Sequence, residues 1–357
     1  MTFSSNQQPA STAHSTSRRQ LLRLGAAGAA ASLAAGCALP GAAQPADRES
    51  QAWAAANIPD QTGRRVLITG GNGYPREGRS GLGYQAALAL VRKGADVTIA
   101  SRDATKGAAA LRLIRGEVPG ARIRFDALDL TDLSQVKAYA MRWRGSGERL
   151  DLLINNAGVM GRRARETTRS GHERVFATNV MGPFVLTAGL MPILRAGRAP
   201  RVAWVASGRI GPLALDDLQF EQDYDYAQAY DRSKLGVLLV AQELQRRSQA
   251  AGWGVASMAC HPGVARTFLV PDGPGMESAE GLRQRALPIL FGPAARGALS
   301  LLYAGASSSA RGGRYYGPAG LVAGSPEDVD VPPLARNETE ANRLWDALQS
   351  LGDTDFS

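Results

Sequence analysis

Cysteine, histidine, lysine and aromatic residues are all scarce in this chain. Its two Cys, Cys37 and Cys260, cannot build a disulfide-dense scaffold or a four-thiolate zinc site. Its three His (His14, His172 and His261) lie far apart and form no metal-ligand motif. Of 41 basic residues only Lys93, Lys106, Lys137 and Lys234 are lysines. The net charge of +9 therefore rests on scattered Arg, with no basic run of five or more. That pattern reads as a compositional bias toward Ala, Gly and Arg, and no nucleic-acid partner is expected. Long apolar runs are also missing, and without about 18 strongly apolar residues in a row a polytopic membrane protein is excluded. What remains is 357 residues at 44% hydrophobic content, which excludes whole-chain disorder and suits one large domain or two small ones.

Acidic residues are absent from residues 1–43. Within them Ser17-Arg18-Arg19-Gln20-Leu21-Leu22-Arg23 precedes a stretch from Leu24 to Leu39 made almost wholly of Ala, Gly and Leu. A charged start, a weakly apolar middle and small residues at the end make an export signal, and the Arg pair resembles a twin-arginine leader. The expected partner is the twin-arginine export machinery, and the expected place is the periplasm or cell envelope. The cytoplasm is the alternative if the signal is inefficient. Two processing sites compete. Leu33-Ala34-Ala35-Gly36-Cys37 resembles a lipoprotein box with a lipid anchor at Cys37, and Gly41-Ala42-Ala43 suits ordinary cleavage. Residues 44–61 read as a polar linker, with a short helix around Trp53.

From residue 62 the chain alternates strand and helix. Apolar runs at Arg65–Gly70, Ala95–Ala100, Arg122–Leu130, Leu150–Asn155, Arg201–Ala206, Val255–Cys260 and Gly313–Tyr316 predict seven strands. Helical spacing lies between them, at Leu82–Val91, Ala104–Ile114, Leu133–Trp143, His172–Leu194 and Tyr230–Gln249. Strands alternating with helices predict an α/β, doubly wound Rossmann fold. Its seven-stranded parallel sheet has helices on both faces. Residues 62–357 are expected to form one such domain, with a lid at about 264–292 and a closing helix at about 338–351.

The chemistry-bearing residues fall at strand ends. Thr69-Gly70-Gly71-Asn72-Gly73 closes the first strand, and Gly81-Leu82-Gly83 opens the next helix. Glycines there let backbone N–H groups approach a pyrophosphate at a helix N-terminus. The second strand ends in Ser101-Arg102, followed by Asp103. An acid at that end would hold a ribose 2′-OH, whereas Arg accommodates a 2′-phosphate, so NADP(H) is favoured over NAD(H). Asn155-Asn156-Ala157-Gly158 follows the fourth strand, Asn179 lies within the long helix, and Ser207 ends the fifth strand. Tyr230 and Lys234 share a helix face one turn apart. A cation there favours phenolate and would lower the pKa of the tyrosine. Ser207 is placed to hydrogen-bond a substrate carbonyl and steady a developing alkoxide.

This ordered set resembles the short-chain dehydrogenase/reductase family over residues 62–320. Residues 201–245 are similar to its retinol dehydrogenase, WW-domain oxidoreductase and protochlorophyllide reductase branch. That likeness rests on Asp216-Asp217-Leu218-Gln219-Phe220, on Ala229-Tyr230 through Lys234-Leu235, and on the 23 residues from Ser207 to Tyr230. The tail Glu338-Thr339-Glu340-Ala341-Asn342-Arg343-Leu344-Trp345 is similar to that branch's closing helix. The resemblance implies catalytic roles for Asn179, Ser207, Tyr230 and Lys234. Asn179 would hold a water in a proton relay, and Lys234 would also grip the nicotinamide ribose. Asn156, Ala157 and Gly158 would line the adenosine side, Asp129 and Leu130 would meet the adenine, and Pro262, Gly263, Val264 and Thr267 would face the nicotinamide. Cys260 and His261 read as structural.

The implied function is an NADP(H)-dependent oxidoreductase that interconverts a carbonyl and an alcohol on an apolar substrate. The alternative is a catalytically silent sensor or scaffold of the same fold. A homo-oligomer is compatible with either, and no metal is expected. One departure stands out, because ten residues separate Gly70 from Gly81, seven more than the family pattern. The insert is either a bulge that leaves Gly81-Leu82-Gly83 in place, or a changed phosphate site reached by Arg76 or Arg79.

Overall fold

A computed structural model of the protein describes residues 53–320, 322 and 324–356. The leader, Cys37 and residues 44–52 lie outside the described residues. In chain order the strands are β1 (Arg65–Thr69), β2 (Asp96–Ser101), β3 (Ile123–Ala127), β4 (Leu152–Asn155), β5 (Arg201–Val205), β6 (Ala256–Cys260), β7 (Ala265–Arg266), β8 (Gly292–Pro293), β9 (Tyr315–Pro318) and β10 (Pro326–Val329). Eight of them form one sheet in the order β10-β9-β6-β5-β4-β1-β2-β3, while β7 and β8 pair separately. The strands from β3 to β9 in this sheet run parallel, and β10 lies antiparallel on β9. The order reverses between β1 and β4, which opens a crevice at their C-terminal ends.

The seven parallel strands read from the sequence are present, and β10 adds an eighth at the edge. Pro326-Glu327-Asp328-Val329 carries two acids and a Pro, the composition of a protected edge rather than of a buried strand. The expected third strand is shorter than its apolar run, because Leu128 to Leu130 leave the sheet and turn into the crevice wall.

The helices are α1 (Leu82–Arg92), α2 (Ala104–Glu117), α3 (Leu133–Gly145), α4 (Arg174–Phe176), α5 (Gly182–Arg195), α6 (Tyr226–Ala250), α7 (Ala279–Ala286), α8 (Ala294–Ala306) and α9 (Glu338–Gly352). A π-helical turn, Ala177–Met181, joins α4 to α5. Side-chain caps start most of them. Asp103 accepts from Lys106 N, Asp132 from Gln135 N, Asp225 from Ala227 N and Gln228 N, and Asn337 from Glu340 N. Helix α1 starts at Gly81 without any side-chain cap.

Both sheet faces are buried, which is why the strands are apolar at successive positions. In β1, Leu67 packs toward Tyr139, Phe184 and Trp204, while Val66 and Ile68 join Tyr84, Leu90 and Leu301 on the other side. All three β1 side chains are fully buried. Residues 53–61 lie on this second layer. Trp53 meets Tyr303 edge-on at 5.2 Å, and Ile58 is buried. Helix α9 closes the first layer through Trp345, 4.9 Å from Phe184 and 4.4 Å from Phe356 between ring centroids.

Trp345→Ala is expected to lower the unfolding free energy by about 3–5 kcal/mol in denaturant titrations, the cost of deleting a fully buried indole. A loss below about 1 kcal/mol would show α9 to be a detachable tail.

Candidate active site

The crevice is held together at its floor by Thr69. Its Oγ1 accepts from the backbone N–H of Asn156 at 3.1 Å and of Ala157 at 3.0 Å, and Asn156 Nδ2 donates to Thr69 O at 2.7 Å. These bonds tie the end of β1 to the end of β4. Glycine is required where the two loops touch. A Cβ on Gly70, which has φ +72°, would sit 2.9 Å from Ala157 Cα, and one on Gly83 would sit 2.6 Å from Asn156 Nδ2.

The insert leaves and rejoins this loop at one point. Gly81 N donates to Gly73 O at 2.6 Å, and a Cβ on Gly73 would lie 2.9 Å from Gly81 Cα. Between them Arg76 and Arg79 pair antiparallel around Glu77 and Gly78, both at positive φ. Residues 74–80 are therefore a hairpin standing on an otherwise ordinary glycine loop. The insert is a bulge that leaves Gly81-Leu82-Gly83 in place at the start of α1, and of its two arginines Arg76 lines the cavity while Arg79 does not.

The resulting cavity holds about 420 Å³. Gly70, Gly81, Leu82, Ser101, Arg102, Asp129, Leu130, Asn156, Ala157, Gly158, Ser207, Tyr230, Lys234, Pro262, Gly263 and Thr267 all line it, as the sequence places them. Thr69, Gly83, Val264 and Asn179 do not line the wall. Thr69 and Gly83 lie beneath it in the contacts just described, and Val264 turns to bond its N–H to Val322 O. Asn179 stands off the wall, and its side chain is engaged elsewhere. Its Oδ1 accepts from Val159 N at 2.8 Å, and its Nδ2 donates to Val159 O and to Ser233 Oγ. Those bonds occupy the amide and make Asn179 a positioning residue that locks the loop after β4 onto α6. Its place in a π-turn shifts the local helix register, a geometry common near functional sites.

Several lining residues escape sequence reading, among them Lys106, Arg174, Thr178, Phe268 and Asp272. They come from helix starts, from the π-turn and from the lid, where no local motif marks them. Lys106 could have been read from its place in the first turn of α2.

The reactive end is built on α6. Lys234 is buried, its Nζ donates to Val205 O at 2.7 Å and lies 5.6 Å from the centre of the Tyr230 ring. Gly158 makes room for it, since a Cβ there would come within 3.4 Å of that Nζ. Burial pushes the Lys234 ammonium down to about 8. Burial also raises the Tyr230 phenol, against the hydrogen bond with Ser207 and the nearby Arg209 charge that lower it. The expected lowering of Tyr230 is thus not met in the chain alone, because desolvation outweighs those two effects. Ser207 is held from both sides. Its carbonyl accepts from Tyr315 OH at 2.8 Å, and its Oγ accepts from Arg209 N at 3.1 Å. His261 faces Tyr315, and burial drives it down to about 4, so it stays neutral near pH 7.

Next to Tyr230 the wall is apolar, formed by Met160 and Leu269 with Val270 and Met276 packed behind them. The lid reaches α6 through Glu280, which accepts from Arg209 Nη1 at 3.3 Å and from Tyr226 OH at 3.0 Å, while Arg209 Nε donates to Asp231. At the opposite end, Arg102 makes no hydrogen bond or ion pair among the described residues, and the buried Ser101 Oγ has no partner. Asp103 is engaged by the N–H and the ammonium of Lys106. The glycine cradle, the bare α1 N-terminus, the unpaired Arg102 and the orphaned Ser101 hydroxyl fit an extended dinucleotide.

Comparison with known proteins agrees with this geometry. A family model described as short chain dehydrogenase matches residues 64–273. Retinol dehydrogenase 13 of Mus musculus is 39% identical over 210 residues, which cover 58% of this chain and 60% of that protein. The match thus spans less than two thirds of that relative. Polyprenol dehydrogenase of Mus musculus is 34% identical over 300 residues, covering 81% of this chain and 83% of that protein. Among solved structures, an uncharacterized protein from Mycobacterium Paratuberculosis is 33% identical with a TM-score of 0.69, covering 86% of this chain and 99% of that one.

With four lysines in the chain, NMR of ¹³C-labelled lysine side chains can follow Lys234 directly. One resonance, absent in Lys234→Met, should lose its proton as pH rises through about 8. A Lys234 signal still protonated at pH 10 would contradict its burial as the controlling effect.

Proposed function

The chain belongs to the short-chain dehydrogenase family, and from that premise we propose that it interconverts a carbonyl and an alcohol on an apolar substrate, with NADP(H) as its cofactor. The observation that carries this reading is the convergence of Ser207, Tyr230 and Lys234 on one cavity wall beside the apolar patch of Met160 and Leu269. When bound, the cofactor supplies or accepts a hydride at the carbonyl carbon.

The chain's own residues do the rest. Tyr230 passes its phenolic proton to the carbonyl oxygen in reduction and takes it back in oxidation. Ser207, steadied by Tyr315 and Arg209, hydrogen-bonds that oxygen as charge develops on it. Lys234 stands behind Tyr230 and favours the phenolate that proton loss leaves. Its own bond to Val205 O fixes it there, so it cannot swing away as a solvent lysine would. The apolar patch and the lid exclude water from this end.

The preference for NADP(H) is supported by the competing duties of two neighbours. Asp103, the nearest acid to a ribose 2′-OH, is committed to capping α2. Arg102, Asp103 and Lys106 all line the cavity at that end, and Arg102, with no partner among the described residues, presents its positive charge to a 2′-phosphate.

With a panel of apolar aldehydes and ketones, loss of NADPH absorbance should be readily seen in the wild type. Tyr230→Phe should slow it by roughly 10²–10⁴-fold, the range for removing a general acid. Activity that survives in this variant would sink the mechanism. Arg102→Asp should weaken NADP(H) binding by about tenfold or more, as expected for one charge-assisted bond, and should weaken NAD(H) far less. Equal effects on the two cofactors would overturn the 2′-phosphate assignment.

A further inference from the structure

The seven residues of the hairpin 74–80 carry two arginines, and the structure gives them different tasks. Arg79 is an anchor. Its Nη1 donates to Gln284 Oε1 at 2.9 Å and to Thr267 O at 3.4 Å, and its Nη2 approaches the Met276 sulfur. These contacts join the hairpin to the segment after β6 and to the lid.

Arg76 is held but not satisfied. Its guanidinium carbon lies 3.7 Å from the centre of the Phe268 ring and 5.4 Å from that of Tyr74. Stacking of this kind fixes the guanidinium plane and leaves its edge N–H groups free for in-plane hydrogen bonds. Its Nη1 is buried, yet it has no hydrogen-bond partner. Leaving a charged donor out of contact with water and without an acceptor is unfavourable, and such a group calls for a ligand or another explanation. Arg76 lines the same cavity as Gly73, Gly81, Leu82 and Thr267. Those residues surround the uncapped N-terminus of α1, where backbone N–H groups already favour an anion.

We infer that Arg76 is a ligand of the dinucleotide pyrophosphate, and that the hairpin is a clasp laid over the middle of the cofactor. The inference rests on the dinucleotide-binding reading of the cavity. In a glycine loop without the insert, backbone N–H groups and the helix dipole alone meet the pyrophosphate. Here a full positive charge is added from the open side, held in place by Phe268 and carried on a two-residue turn. Through Arg79 the same hairpin touches Gln284 of α7, so the clasp over the cofactor and the lid over the substrate are one connected surface.

Binding measurements separate this role from the others. By isothermal titration calorimetry, Arg76→Met should weaken NADP⁺ by about tenfold or more, the effect of one charge-assisted bond to phosphate. Adenosine 2′-monophosphate lacks the pyrophosphate, and its affinity should be unchanged. Arg76→Lys should recover part of the NADP⁺ affinity. A variant with residues 74–80 removed, joining Gly73 to Gly81, should show the same loss as Arg76→Met. Unchanged NADP⁺ affinity in Arg76→Met overturns the inference. So does an equal weakening of NADP⁺ and adenosine 2′-monophosphate, which would place Arg76 at the adenosine end or in the fold. A wild-type chain that binds neither NADP⁺ nor NAD⁺ would instead overturn the dinucleotide reading itself, and Arg76 with it.

Discussion

Everything at this site depends on the seam between β1 and β4. The connections leaving β1 and β4 diverge where the sheet order reverses, and the crevice between them would be loose without a cross-tie. Thr69 supplies it by accepting two backbone N–H groups from the loop after β4, while Asn156 returns a donor to Thr69 O. The same tie brings Gly70 against Ala157 and Gly83 against Asn156, at distances only glycine tolerates. A motif that looks like a phosphate loop is thus first a packing solution. Its openness to an anion follows from having no Cβ atoms and no side-chain cap at the start of α1.

The second constraint is the burial of charge behind Tyr230. Lys234 is enclosed by β5, α6 and Gly158, and its ammonium is stabilised by one carbonyl, Val205 O. Burial pushes it toward neutrality and pushes Tyr230 away from phenolate. The two shifts oppose easy proton transfer, and Ser207 and Arg209 work against the Tyr230 shift. Asn179 contributes from a distance, by fixing Val159 and Ser233 around the lysine. The setting of Tyr230 is therefore a product of several elements meeting, not of a pair of residues one turn apart.

The hairpin 74–80 shows how an insertion can be neutral to a fold and still alter its chemistry. Gly73 and Gly81 meet so closely that the loop below is undisturbed. Above it, the chain gains two cationic side chains, one bound to the lid and one stacked on Phe268 over the cavity. The lid is joined to the reactive end by Glu280 as well, so both ends of the site feel its position.

Much of this was legible in the residues alone. Alternating apolar runs and helical spacing gave seven of the eight strands in order, because buried parallel strands must be apolar on both faces. Tyr230, Lys234, Ser207, Arg102 and the glycines could be named because each lies at a strand end or a fixed helical spacing, and local chain geometry sets those positions. What local spacing could not carry was contact between distant segments. The edge strand β10 is short and acidic, so it has no apolar signature, and its pairing with β9 is decided by the folded sheet. That Asn179 turns its amide to Val159 and not to the cavity depends on where β4 meets the π-turn. That Asp103 is engaged while Arg102 is free depends on the start of α2, and that Arg76 lines the cavity while Arg79 holds the lid depends on Phe268 and Gln284, nearly two hundred residues or more away in sequence. The sequence determined which groups are available. Tertiary packing decided which of them line the cavity and which are already engaged elsewhere, because contacts between segments distant in sequence set both.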